Sequence, residues 1–203
     1  MLGNVRYPIA ISGKANAGKN TVASMFVDVF GLDSSTAIIV ALADPMKHIA
    51  EVMFPLCDRE CLYGESKRRA ETISSDYIDG YSKELTYRQF LLDLGKFGRA
   101  YNPDIWLKCL VEKAIYSDHI AYIVSDVRMR NEFEFLQKHQ FYTVRVIRDT
   151  CTMINDVSET EQDSIRNSDF DFVINNSSTL YSLYAQVKAA ADYMKALSPK
   201  GAK

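Results

Sequence analysis

No apolar run in this 203-residue chain approaches the 18 or so residues that a bilayer-spanning helix needs. The opening MLGNVRYPIAISG lacks the layout of a secretory leader, so a cytoplasmic setting is expected, the host cytoplasm if a phage encodes the chain. Excess charge of one sign is missing too: 24 Lys and Arg stand against 26 Asp and Glu, for a formal net charge of −2. That excludes a broadly basic surface for polymeric nucleic acid and leaves anion binding to local devices. Cysteine is scarce and scattered, at Cys57, Cys61, Cys109 and Cys151. Cys57-x-x-x-Cys61 has no second pair and no histidine at ligand spacing, so neither a zinc site nor a disulfide framework is predicted. Internal repeats and low-complexity tracts are absent as well.

What is present is an alternation. Five short apolar runs read as buried strands: Tyr7–Ser12, Ala37–Leu42, Ile120–Ser125, Tyr142–Ile147 and Asp171–Ile174. Between them lie helical patterns. The first starts at Lys19 and stops at Gly31. Asp44 caps a second, with Pro45 in its first turn, through about Phe54. Thr86-x-x-Gln89 is a capping box for a third, which is expected to end at Gly95 or Gly98. Asn102-Pro103 opens a fourth, and further helices cover about Asn131–His139 and Thr179–Leu197. Continuous apolar strands separated by helices predict an α/β fold of three layers, a five-stranded parallel sheet with helices on both faces. The chain reads as a single domain, 1–203, in which the polar, charge-dense stretch 55–85 is an inserted flap on the acceptor side rather than core.

Gly13-x-x-x-x-Gly18-Lys19 stands between the first strand and the first helix, the context a phosphate-binding loop requires. Its glycines let backbone N–H groups turn inward, and the helix start adds partial positive charge. Gly13, Ala15, Asn16, Ala17, Gly18, Lys19, Asn20 and Thr21 are therefore candidate ATP-phosphate ligands, with Lys19 as the cation on the β- and γ-oxygens. Asn20 holds the place of the usual hydroxyl residue, and Thr21 brings the hydroxyl one position late, near the Mg²⁺ shell. That spacing favours small-molecule kinases over switch GTPases and motor ATPases. Lys14 is either a second cation for an acceptor phosphate or a solvated surface lysine.

A second constellation, SDVRMRNE, begins at the carboxyl end of the third strand, where open α/β sheets bind ligands. Asp126 suits the metal or the attacking oxygen, and Arg128 the transferred charge. Glu132 is placed to orient Arg128 through a salt bridge. Trp106 sits on an apolar helical stripe and is either core or a base-stacking platform.

SGKxxxGKxT, ADPMK, an arginine-containing helix ending in LG, Trp106, SDVRxxNE and VINNSSTLYSL follow one another here in an order that resembles the bacteriophage deoxynucleoside monophosphate kinases. Phosphomevalonate kinases share part of the pattern. The resemblance implies the P-loop nucleotide kinase fold, ATP and Mg²⁺ as cofactors, a small deoxynucleotide (dNMP) as partner, and room for a homodimer. It implies metal contacts at Thr21 and Asp126, and substrate contacts at Lys14, Asp44, Lys47, Arg88, Trp106, Asp126, Arg128 and Glu132. Asn175 and Asn176 match a turn near the adenine. Arg99 is a second candidate phosphate ligand, and Lys67, Arg68, Arg69, Arg145, Arg148 and Arg166 are candidate lid cations. The chain departs from the family at Asn20, usually aspartate, and at Asp156–Glu159, where a His-Ile-x-Glu stretch is common. The alternatives are a kinase for phosphomevalonate or dephospho-coenzyme A, and a non-catalytic ATP-binding regulator.

Overall fold

The computed structural model of the chain describes residues 2, 4–64, 71–73, 85–149, 162 and 164–197. Lys67–Arg69, Cys151 and Asp156–Glu159 lie outside the described residues, as does most of the expected flap. Two compact units divide the chain. One comprises 1–42 and 110–203, the other Ala43–Cys109.

The first unit carries the sheet. Its strands are β1 (Tyr7–Ser12), β2 (Ala37–Val40), β3 (Ala121–Val127), β4 (Tyr142–Ile147) and β5 (Phe172–Asn175), ordered β2-β3-β1-β4-β5. Every pairing is parallel, as the continuous apolar runs required. The alternation of side chains sends Ile9, Ile11, Ile123, Val144 and Ile174 to one face. There they pack with α1 (Lys19–Phe30) and α7 (Leu180–Ala196), through Val22, Phe26, Leu183 and Val187. The opposite face presents Tyr122, whose hydroxyl donates to the Leu110 carbonyl of α5 (Ile105–Ile115) at 3.2 Å. Helix α6 (Arg130–Lys138) packs beside β4. The three layers expected from the sequence are therefore present.

The second unit holds α2 (Asp44–Met53), α3 (Glu60–Tyr63) and α4 (Tyr87–Tyr101), with the start of α5. Its small core joins Ala50, Phe54, Cys61, Leu62, Ile73 and Tyr87. Cys61, Leu62 and Ile73 fall in the stretch expected to be outside any core, so its described parts supply buried apolar side chains after all. Burial, with the Glu71 carboxylate beside it, pushes the Cys61 thiol up to about 12, which marks it as packing rather than a nucleophile.

Several boundaries differ from the sequence expectation for identifiable reasons. β2 ends at Val40 rather than Leu42, because the Leu42 N–H donates to the Asp126 carboxylate at 2.7 Å instead of a ladder carbonyl. Asp44 is the first residue of α2 and not its cap; Ala43 occupies the cap, and the Asp44 carboxylate pairs with Lys47 at 3.0 Å. At α4 the Thr86 side chain accepts from the Gln89 N–H, but the Gln89 side chain donates to Asp93 and leaves half of the box unmade. The same helix runs through Gly95 and Gly98 to Tyr101. Those glycines serve close approach: a Cβ on Gly98 would stand 2.4 Å from the Trp106 ring, whose Nε1 donates to the Gly95 carbonyl at 3.1 Å.

Candidate active site

The phosphate loop connects β1 to α1 and is held from several sides within the first unit. Gly18 caps α1 in the left-handed region, at φ 93°, a conformation that costs other residues about 1–2 kcal/mol. Its Cβ position is also filled, since an added carbon would lie 2.4 Å from Asn176 Nδ2. That amide donates to the Ala17 carbonyl at 2.8 Å. Ala17 is buried, whereas Asn16, with φ 61°, forms the exposed crown of the loop beside half-buried Lys14 and Ala15. The Lys19 ammonium lies inside the loop, donating to the carbonyls of Gly13 at 2.7 Å and Lys14 at 2.9 Å. A compact cation ringed by loop backbone at a helix N-terminus is suited to a polyphosphate. Asn20 and Thr21 follow on the exposed first turn of α1.

The aspartate–arginine turn stands next to this loop. β3 neighbours β1, and Ser12, the residue before Gly13, pairs with Val127, the residue after Asp126. Between Ala10 and Ser12 the register slips: two steps on β1 face three on β3, from Val124 to Val127. This bulge re-aims the strand end at which Asp126 accepts the Leu42 N–H, as bulges beside functional sites do. Arg128 is exposed just beyond. Glu132 does not form the expected guanidinium salt bridge. Its carboxylate instead accepts the backbone N–H groups of Arg128 at 2.7 Å and Met129 at 2.9 Å, at the start of α6. It orients the arginine by fixing its main chain.

Among the described residues no group of three metal-ligating side chains stands together. A cation here would take most of its ligands from phosphate and water, as Mg²⁺ does, and the Thr21 hydroxyl and Asp126 carboxylate are oxygen donors of the right kind.

The lid candidates separate. Arg145 is spent on structure: its guanidinium donates to the carbonyls of Ile165 and Gln162 and lies over the Phe170 ring. Arg166 pairs with Asp169 at 3.0 Å. Arg148, just past β4, instead reaches the loop crown, 3.5 Å from the Asn16 carbonyl.

The other substrate candidates belong to the second unit. Lys47, bonded to Asp44, also lies 4.7 Å above the Tyr63 ring, and Arg59 covers the same ring at 4.8 Å. Arg88 is exposed in the first turn of α4. Arg99 turns back along the helix, so that a Cβ on Gly95 would meet its guanidinium at 3.4 Å and Met46 of α2 at 3.1 Å. The two arginines share a helix face but stand three turns apart, about 16 Å, so they address different ends of it. Trp106 is seated on Gly98 as packing.

A family model for deoxynucleotide monophosphate kinases matches residues 66–187. The chain belongs to the deoxynucleotide monophosphate kinase family. The match takes in Arg88, Arg99, Trp106, Asp126, Arg128, Glu132, Asn175 and Asn176. It begins after the phosphate loop, which is thus an independent signal for the same chemistry. Membership makes the chain a phosphotransferase. A relative from Acanthamoeba polyphaga mimivirus, named "Putative deoxynucleotide monophosphate kinase", is 24% identical over 204 residues, covering 91% of this chain and 95% of the relative. A solved sugar kinase from Janibacter sp. HTCC2649 aligns over 98% of this chain and 99% of its own, at 11% identity and a TM-score of 0.40, too loose an overlap to bear on the fold or the activity.

Sequence reasoning missed one participant in the site. Gln186, on α7, grips the main chain of Asn175: its Oε1 accepts the N–H and its Nε2 donates to the carbonyl, each at 2.9 Å. A glutamine on the polar side of an amphipathic helix carries no signal of such a role. The register slip opposite Asp126 was equally invisible, since it depends on two strands more than a hundred residues apart.

Proposed function

We propose that the chain transfers the γ-phosphoryl group of ATP to a deoxynucleoside monophosphate, releasing ADP and the deoxynucleoside diphosphate. The observation that carries this reading is the register of β1 against β3, which seats Asp126 and Arg128 beside the loop that encloses Lys19. An oxygen of the acceptor phosphate attacks the γ-phosphorus, and the bond to the β–γ bridging oxygen breaks. The attacking oxygen is already ionised, so no strong base is required, and catalysis rests on positioning and charge neutralisation. Lys19 and the loop N–H groups hold the triphosphate, and Arg128, its main chain fixed by Glu132, faces the transferred charge. Thr21 and Asp126 would hold Mg²⁺, which spreads the charge of the phosphates when bound. Arg148 is the lid-side cation best supported, by its place at the loop crown. Asp44, Lys47, Arg88 and Arg99 are the proposed acceptor contacts.

The test is turnover of a panel of deoxynucleoside monophosphates with ATP and Mg²⁺; no product from any of them rejects the assignment. Arg128→Ala separates an enzyme from an ATP sensor. The enzyme loses turnover and keeps ATP affinity, whereas a sensor is unaffected.

A further inference from the structure

We propose that Asn176 is a positioning residue for the phosphate loop, and that Gln186 sets Asn176 in place; this rests on the reading of that loop as the ATP site. The resemblance put Asn175 and Asn176 against the adenine. The contacts observed are with protein backbone. Asn176 Nδ2 is bonded to the Ala17 carbonyl and fills the space where any side chain on residue 18 would begin. It therefore braces the two residues that enter Lys19 and α1.

Asn176 is itself fixed on every side. Its N–H donates to the Ile147 carbonyl at the end of β4, at 2.7 Å. Asn175, before it, is clamped by the Gln186 amide, which pairs with both main-chain groups as a neighbouring strand would. Gln186 is steadied in turn by donating to the Ser182 carbonyl at 3.2 Å. The Asn175 side chain accepts the Ser177 N–H at 2.8 Å, and the Ser177 hydroxyl accepts the Asp149 N–H at 2.9 Å. Among the described residues β5 is an edge strand, so no further strand holds its outer side. The Gln186 clamp takes that place. The result is a strut from α7 through the tip of β5 to the loop, made of neutral hydrogen bonds and containing no group that must touch the nucleotide.

The consequence is a signature in ligand choice. A residue acting through the loop changes the grip on phosphates and ignores the base. A residue that touches adenine does the reverse. Dissociation constants for ATP and for inorganic tripolyphosphate, each with Mg²⁺, distinguish the two on the full-length chain. Asn176→Ala is expected to weaken both ligands by the same factor, about 5- to 10-fold, the worth of one lost neutral hydrogen bond. Gln186→Ala is expected to weaken both by a smaller equal factor, and Gln186→Glu, whose second carboxylate oxygen would face the Asn175 and Ser182 carbonyls with no proton to donate, weakens both at least as much. KM for the acceptor monophosphate stays at its parent value throughout. A variant that merely loosened the fold would lower the active fraction and leave all three constants unchanged. That result overturns the proposal, as does weakened ATP with unaltered tripolyphosphate. If the parent chain binds neither ATP nor tripolyphosphate, the loop is not an ATP site and the proposed function falls with it. Melting temperatures confirm that each variant is folded, and Gln186, on the surface side of α7, is the variant least able to disturb the core.

Discussion

The candidate catalytic groups of the sheet-bearing unit are held differently from the exposed charge pairs that both units carry. In the sheet-bearing unit the candidate catalytic groups are tied to backbone. Lys19 bonds loop carbonyls, Glu132 two N–H groups and Asp126 the Leu42 N–H, while the positioning residue Asn176 bonds the Ala17 carbonyl. In Ala43–Cys109 the charges meet other side chains: Lys47 with Asp44, Glu51 with His48 and Arg59, Lys96 with Asp93. Backbone anchors are positioned by the sheet and its adjoining helices, and they lose little entropy on binding. Paired surface side chains are worth at most about 1 kcal/mol and rearrange readily. A donor site needs the first property, because triphosphate geometry is the same in every turnover.

The cores repeat the contrast, and mutation can test it. Phe26 is fully buried in the large cluster beneath α1 and α7, and Leu62 is 1% exposed in the small one. Phe26→Ala is expected to cost about 3–5 kcal/mol and Leu62→Ala to fall toward the lower end of about 2–5 kcal/mol, because a thin core collapses around a cavity more easily. Urea unfolding of both variants measures this, and equal losses would erase the distinction between the cores.

Next in size is Lys19→Ala. Removing a charge at the centre of a fixed loop is expected to lower turnover roughly 100- to 1,000-fold, the scale seen when one preorganised transition-state contact is removed. Side-chain changes among the second unit's surface pairs should cost far less. A comparable loss from Lys96→Ala would show that the pairs there are not interchangeable.

A smaller effect concerns Glu132. Burial pushes its carboxyl above the usual range, outweighing the two N–H donors that favour the anion. The folded chain therefore holds this proton more tightly than the unfolded one. The stabilisation is fully present below the ordinary glutamate value and fades as pH rises through the raised one. Glu132→Gln lacks that dependence, so its melting temperature should gain on the parent's as pH rises from about 4 to 7. A difference that stays flat with pH would show that the anion is not penalised.

Smallest is Lys188→Ala. The pair with Asp192 is exposed on α7 at i,i+4 spacing and 2.7 Å, and the shift in urea midpoint on its loss should be the smallest of the set. That value calibrates what an exposed side-chain pair contributes anywhere in the molecule.

Much of this was legible from the residues. Five apolar runs and the turn signals between them were enough for a parallel sheet, since strands buried on both faces read as continuous hydrophobic stretches. Gly13, Gly18 and Lys19 announced the loop, because its backbone needs are local. The failures were tertiary. Gly95 and Gly98 looked like stops because nothing nearby in sequence shows that Trp106 passes over them. Asp44 looked like a cap until Lys47 claimed its carboxylate.

The sequence by itself determined the order of strands and helices, the phosphate loop and the residue types that suit phosphoryl transfer. Those depend on periodicity and on spacing within a few residues. Only the tertiary structure decided that Ser12 lies opposite Val127, that the Leu42 N–H donates to Asp126, and that an amide just past the last strand bonds the first loop. Such contacts join residues up to 159 positions apart, where pairing is set by the packing of the whole sheet and not by any local preference.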